Sequence, residues 1–341
     1  RNNMARMALR SPYFITRTAP SNALSVQLII RINNVTKYTL RKLVTGGQPV
    51  SFEVSELCRD YLNITYDGSP VKEDTQIEVD LSGAFYDTSV PSSSPISTFT
   101  ETDNIAFDAY GYFNEGTNPS PPFYLSSGGA FLIAPKLGTT TEWEIFVPEG
   151  VGGFVPKIQY VPLPTPQRLV SYTEYFANTT QIQVAVGEVC TINRLPCSKY
   201  EPQRITFVNK YGQFQDLWFA LKKVLTTSTT KEEYQGINLI SSGSATTYDV
   251  SVPTKVVYNK ESKERITLNS GYYPEGYNAV FEQLLESEQI WIQTVDQAGT
   301  TQYLPLNVMT SSFVKKTKLN DRLIDYTIEF AEAYDKINNV R

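Results

Sequence analysis

Histidine is absent from this chain, and the absence excludes more functions than any motif in it supports. Without imidazole, neither a Ser-His-Asp triad nor a Cys-His pair can be assembled, and the commonest general base near neutral pH is missing. Zinc sites built on histidine are excluded for the same reason. Cysteine is scarce, with only Cys58, Cys190 and Cys197 in 341 residues. That odd, low count is unlike a secreted disulfide framework and fits a chain that folds in a reducing cytosol. Charged residues make up 19% of the sequence, below the ~25% usual in soluble domains. No run of ~18 apolar residues occurs, so no membrane-spanning helix is expected. Around Arg1, Arg6 and Arg10, the residues Met4, Ala5, Met7, Ala8 and Leu9 do not form the continuous apolar stretch of a signal peptide.

What fills the gap is polar and strand-forming. Hydrophobic residues reach 41% and aromatics 12%, enough for a substantial core. Ser, Thr, Asn and Gln are abundant, 20 Pro and 19 Gly are scattered throughout, and 22 Tyr stand beside 17 Phe. This composition predicts a mainly β, turn-rich protein. The formal charge of −5, from 30 basic and 35 acidic side chains, provides no basic footprint for nucleic acid. A local cluster at Lys315, Lys316, Lys318 and Arg322 is interrupted by Asp321 and Asp325 and reads as a solvated strand edge. Asn34-Val35-Thr36, Asn63-Ile64-Thr65 and Asn178-Thr179-Thr180 match the glycosylation acceptor pattern, as such triplets do freely in Asn/Thr-rich chains.

Periodicity divides the chain into an N-terminal arm (1–20), a β-sandwich-like domain (21–155), a Pro-rich linker (156–167) and a second β-rich domain (168–341). Leu24, Val26, Leu28 and Ile30 alternate along one strand, and a turn at Asn33-Asn34 leads into a second over Val35 to Leu43. Val54, Leu57, Cys58, Tyr61 and Leu62 form one apolar stripe of a short helix, with Ser51 or Ser55 as its cap. Cys58 on that stripe reads as a buried small hydrophobe. Strands are predicted at 76–86, 104–113, 130–134 and 142–147, with loops at 89–102 and 114–122. Pro156, Pro162, Pro164 and Pro166 predict a stiff extended connector. In the second domain Arg204 to Phe219 reads as a hairpin turning at Gly212. Tyr277, Val280, Phe281, Leu284 and Leu285 form another helical stripe, before a strand at Ile290 to Val295. This faintly echoes the order of Tyr38 to Tyr66. Ile324, Tyr326, Ile328 and Phe330 alternate as a half-buried strand. Each domain is thus expected to be sandwich-like with one short helix.

Chemistry is sparse. Cys190 and Cys197 are spaced too widely for a metal knuckle and lack further ligands, so a close pair across a hairpin is the simpler reading. Gly150-Val151-Gly152-Gly153 lacks the remainder of any phosphate-binding fingerprint and reads as a hairpin loop. The carboxylate pairs Glu142/Glu144, Asp103/Asp108 and Glu282/Glu286 would need to converge in a cleft to hydrolyse a glycoside. Glu142 and Glu144 instead flank Trp143 as a solvated face beside a buried indole would. Tyr272-Tyr273-Pro274-Glu275-Gly276-Tyr277 and the aromatics of 107–113 suit either loop anchoring or partner docking. No catalytic, cofactor-binding or metal residue is assigned.

Three blocks carry a resemblance to virion structural proteins of tailed bacteriophages. They are Phe52 through Thr65, Cys197 through Phe219, and Lys315 through Phe330, and they span the length of the chain. The resemblance implies a non-enzymatic protein of the tail, neck or baseplate, located in the virion and assembled in the host cytoplasm. It further implies contacts with other virion proteins and with copies of itself, with no nucleic acid, cofactor or membrane span. The arm over 1–20, with Pro12-Tyr13-Phe14-Ile15 as an anchor, is expected to strap a neighbour. A capsid decoration (head fibre) protein, a carbohydrate-binding receptor protein or glycan depolymerase using Trp143, Trp218 or Trp291, and a secreted adhesin are the alternatives.

Overall fold

The computed structural model describes residues 6–68, 76–91, 94–116, 130–131, 133–161, 168–176, 179–185, 188–196, 199–242, 245–312, 314–315 and 323–336. The chain opens with β1 (Arg6–Ala8), β2 (Phe14–Thr18), β3 (Ser25–Ile32), β4 (Val35–Leu43), β5 (Pro49–Glu53), helix α1 (Ser55–Arg59), β6 (Gln76–Tyr86) and β7 (Ser97–Phe107). A middle group follows: β8 (Ala130–Phe131), β9 (Glu142–Pro148), β10 (Gly153–Val161), β11 (Arg168–Phe176), β12 (Gln181–Ala185) and β13 (Glu188–Leu195). Next come β14 (Gln203–Val208), β15 (Phe214–Phe219), β16 (Lys223–Gln235), β17 (Leu239–Ser242), β18 (Ala245–Tyr248) and β19 (Lys255–Asn269). The chain closes with β20 (Tyr273–Pro274), helix α2 (Asn278–Glu286), β21 (Ile290–Val295), β22 (Thr301–Val308), β23 (Leu323–Ile324) and β24 (Thr327–Glu332). The protein is mainly β, as its composition predicts.

The N-terminal core lies on one face of a sheet ordered β1-β7-β6-β3-β4. Alternation decides which face: Val26, Leu28, Ile30 and Ile32 of β3 point inward with Ile77, Val79 and Leu81 of β6. The β3–β4 turn places Asn33 and Asn34 at φ 48° and 66°, left-handed values that asparagine tolerates and a two-residue hairpin requires. Paired strands β2 and β5, with α1, cover that face through Ile15, Phe52, Val54 and Cys58. Helix α1 is shorter than its stripe suggests, and Leu57, Tyr61 and Leu62 pack at the edge of the core, the last two beyond its end. Neither Ser51 nor Ser55 caps it. The Glu53 carboxylate instead accepts the Ser55 backbone N–H at 2.8 Å.

Residues 6–19 correct the expectation of a free arm. β1 lies parallel to β7, β2 pairs with β5, and Met7, Leu9, Ile15 and Ala19 are buried in the core. These strands are too short to show periodicity, so their apolar residues looked scattered. β7 begins at Ser97, inside the predicted 89–102 loop, and ends at Phe107, short of the predicted 113.

The second core forms under a seven-stranded antiparallel sheet ordered β15-β14-β21-β22-β24-β19-β16. It gathers Val280, Phe281 and Leu284 of α2 and the sheet β12-β13-β9, through Trp143, Ile145, Val147, Cys190 and Ile192. Strands before Pro156 therefore contribute to this core, whereas the proline spacing placed them in the first domain. Pro156 itself lies in β10, opposite Thr173 of β11, and the described residues of β8 pair with β10 at Lys157 and Ile158. The rest of the proposed linker, 162–167, lies outside the described residues. The glycine loop before β10 joins strands of two different sheets and is not a hairpin. Nor is the order of α2 and β21 echoed near Tyr66, where the chain forms no strand.

Contacts among the described residues join the two parts at several points. Tyr66 sits among Phe214, Trp291 and Tyr303, at ring-centroid distances of 4.8, 5.6 and 4.9 Å, on the sheet face opposite the second core. The 209–212 turn docks on the end of β7: Tyr110 donates its N–H to Lys210 O at 3.1 Å. Gly212 there has φ 74°, and a Cβ would come 2.9 Å from Phe107 Cβ and 3.2 Å from Asp108 N. Glycine therefore meets two requirements at once, a left-handed turn and close backbone approach. Finally, Glu286 accepts the hydroxyls of Tyr110 and Tyr112 at 3.0 and 2.8 Å, while Arg10 lies over the Tyr110 ring and donates to Glu286 O at 2.9 Å.

Candidate interaction surface

The residues singled out for chemistry do not converge. Trp143, Trp218 and Trp291 are all buried, so none offers a ring to a sugar. Glu142 pairs with Lys136, and Glu144 accepts from Asn193 Nδ2 at 3.2 Å. Glu282 pairs with Lys315 at 3.0 Å, and Glu286 belongs to the inter-part junction. Asp108 is buried beside Arg59, and burial raises its pKa; the Asp103 side chain and residues 316–322 lie outside the described residues. Of the Tyr-rich loop, Tyr273 and Tyr277 are core, with the Tyr273 hydroxyl donating to Trp218 O at 2.6 Å, and only Tyr272 is exposed. Among the described residues, no group of three or more His, Cys, Asp or Glu side chains is placed to hold a metal. Nor, among these residues, is any helix long and apolar enough to cross a membrane.

Cys58 and Cys190 are buried free thiols, and burial pushes both up to about 12. Only the thiolate attacks a disulfide reagent, so neither should react with dithionitrobenzoate in the native protein at neutral pH. Their release on adding guanidinium is the expected result; rapid native reaction at Cys58 or Cys190, located by peptide mapping, would contradict this packing. Cys197 lies outside the described residues.

The feature that stands apart is a β-ribbon. β16 and β19 pair antiparallel from Lys223↔Leu268 to Gln235↔Lys255. All 13 residues of β16 are exposed, and β19 reaches the core only from Ser262 inward. At ~3.4 Å per residue the ladder is about 40 Å long. The ribbon forms because its strands are rich in Val, Thr and Tyr, which favour extended backbone. It has no buried face because Thr, Ser, Lys and Glu occupy both sides. Lys231, Glu233 and Glu232 are among them, with Lys231 and Glu233 forming an ion pair on one face.

Beyond the ladder, β17 and β18 make a second small hairpin, pairing Leu239 with Tyr248. Asn238 ties this tip together by donating to Asp249 O and, at 3.0 Å, to Val252 O. Asp249 in turn accepts the Ser251 hydroxyl at 2.6 Å and the Ser251 N–H at 2.8 Å, and these two bonds lower its pKa. The ordered tip displays apolar side chains to solvent: Ile237 is 90% exposed, Val250 89%, Tyr248 71% and Leu239 66%. The Tyr234 and Tyr258 rings lie tilted against each other at the ladder's outer end, their centroids 6.2 Å apart. Two-stranded ribbons without a third strand or a packed face are marginal in water, and clustered exposed apolar side chains mark contact sites. This surface was missed from sequence. The signal was there in the uncharged, β-branched run Val224 to Thr230, which has no alternation and so reads as a strand without a buried side.

Compared with family models, curated proteins and solved structures, the chain matches none.

Proposed function

We propose that this chain is a non-enzymatic structural protein of a tailed-bacteriophage virion, placed in the tail, neck or baseplate and working through protein–protein contacts. The observation that carries the reading is the projecting ribbon, whose strand β16 is exposed along its whole length and whose tip turns Ile237, Leu239, Tyr248 and Val250 to solvent. A surface of that kind gains its stabilisation when a neighbour covers it. The rigid junction at Tyr66, Gly212 and Glu286 supports the same reading, because it lets a load on the ribbon pass to both cores. The two cores are taken as two sandwich-like units, and the buried tryptophans weigh against a sugar-stacking cleft.

Peptide mass spectrometry of purified particles of the encoding phage is expected to find the protein at a fixed stoichiometry. Replacing residues 231–260 by Asn-Gly joins the paired residues Thr230 and Glu261 through a two-residue turn without touching a core side chain. That variant should fold with its thermal midpoint unchanged and fail to enter particles. Absence of the native protein from particles would refute the virion role, and normal incorporation of the shortened variant would refute the role of the ribbon.

A further inference from the structure

We infer that the ribbon's partner is the ribbon of a second copy of this chain, joined antiparallel edge to edge along β16 about a two-fold axis at Ser228. The inference rests on the ribbon being an assembly element, and it names what covers that element.

β16 is the last strand of its sheet, so among the described residues one side of its backbone has no strand beside it over the full 13 residues. Free edges are normally guarded by charge, proline or a bulge. The outer part of β19 is guarded: Lys255, Lys260, Glu261, Lys263 and Glu264 line it, and the ladder bulges at Tyr258. The edge strand β4 carries Lys37, Arg41 and Lys42. β16 runs without a register shift from Lys223 to Glu232, and from Val224 to Thr230 it has no charge and no proline. Of the two sides of the ribbon, only this one is left open.

Symmetry then restricts the register. Two antiparallel copies related by a two-fold axis keep the same face of the sheet on the same side, so the axis must pass through a residue and not between two. Centring on Thr227 would set Lys223 against Lys231 of the other copy. Centring on Ser228 sets Lys223 against Glu233 at both ends, Thr226 against Thr230, and Thr227 against Thr229. Opposite charges and β-branched pairs across a ladder are favourable, and like charges are not. Centring on Thr229 leaves Lys223 facing Gln235 and loses both charge pairs. The Ser228 register sends each apolar tip past the root of the other ribbon, toward the partner's body.

The test is a cysteine scan in a Cys197→Ser background of the full chain. Ser228→Cys faces itself across the axis, at the Cα separation a disulfide needs. It should cross-link into dimers under mild oxidation, whereas Thr226→Cys, which faces Thr230, should not. Sedimentation velocity of the native chain should show a dimer. Thr227→Lys with Thr229→Lys should raise its dissociation constant about tenfold or more, with the melting temperature of the monomer fold unchanged. Lys223→Glu alone should weaken the dimer, and Lys223→Glu with Glu233→Lys should restore it. A monomeric native chain, or a dimer indifferent to these changes, overturns the self-pairing. Neither result touches the virion reading, which stands or falls on the particle measurement.

Discussion

Phe281→Ala is expected to lower the stability of the second core by about 4 kcal/mol, near the upper part of the range for large-to-small aromatic changes. Phe281 is fully buried, and its ring meets Tyr326 at 4.8 Å, Tyr273 at 5.4 Å and Phe219 at 6.5 Å. The size of the loss follows from how little those neighbours can move. The Tyr273 hydroxyl is tied to Trp218 O, and the Tyr326 backbone N–H is tied to Ser270 Oγ at 2.9 Å. A cavity lined by anchored rings stays open, so the variant loses contacts as well as transfer free energy. Guanidinium unfolding followed by tryptophan fluorescence measures this directly, because Trp143 and Trp218 lie in the same core. Phe113→Ala is the control: that ring is fully exposed, and its loss should stay within about 0.5 kcal/mol of native. A Phe281→Ala cost below about 1.5 kcal/mol would mean the aromatic cluster collapses around the gap.

Asp216→Ala should cost about 3 to 4 kcal/mol, because it strands a buried guanidinium. The Asp216 carboxylate accepts from Arg204 Nη2 at 2.7 Å and from the Thr206 hydroxyl at 2.7 Å, and both members of the ion pair are only 11% exposed. Arg204 also donates to Gln293 Oε1 at 3.1 Å and to the Tyr66 hydroxyl at 3.2 Å. The pair therefore links the outer face of the seven-stranded sheet to the residue that plugs the first part of the chain against it. Removing the carboxylate leaves the Arg204 charge in place without its counter-charge, and the desolvation penalty is then uncompensated. The discriminating measurement is Asp216→Leu combined with Arg204→Met. Replacing both by apolar side chains should recover most of the loss, since a buried ion pair and a well-packed apolar pair are often similar in stability. If the double variant were as unstable as Asp216→Ala, the effect would lie in the packing around Tyr66 and not in charge.

Much of the local structure was legible because it depends on residues close in sequence. The alternation of Val26, Leu28, Ile30 and Ile32 needs only the two-residue period of a strand, and the Asn33-Asn34 turn only its own backbone preference. The hairpin from Arg204 to Phe219 is also local, with Gly212 at its turn. Its side chains divide as sequence cannot foresee: Phe207, Trp218 and Phe219 enter the core, while Phe214 faces outward to hold Tyr66. The chain's ends and borders were misjudged for the opposite reason. Met7, Leu9 and Ile15 become core only because strands far along the sequence cover them, and Pro156 becomes a strand residue only because β11 returns to pair with it.

By itself, the sequence determined that the protein is built mainly of strands, where its hairpins turn, and that these 341 residues supply no imidazole. Composition, two-residue periodicity and the conformational range of Asn and Gly suffice for that. Tertiary structure alone decided which strands share a core, that Tyr66, Gly212 and Glu286 bind the two parts together, and that β16 and β19 leave the body as a ribbon. Burial is a property of distant segments meeting. A Thr-rich strand looks the same in sequence whether another layer covers it or, as here, nothing in its own chain does.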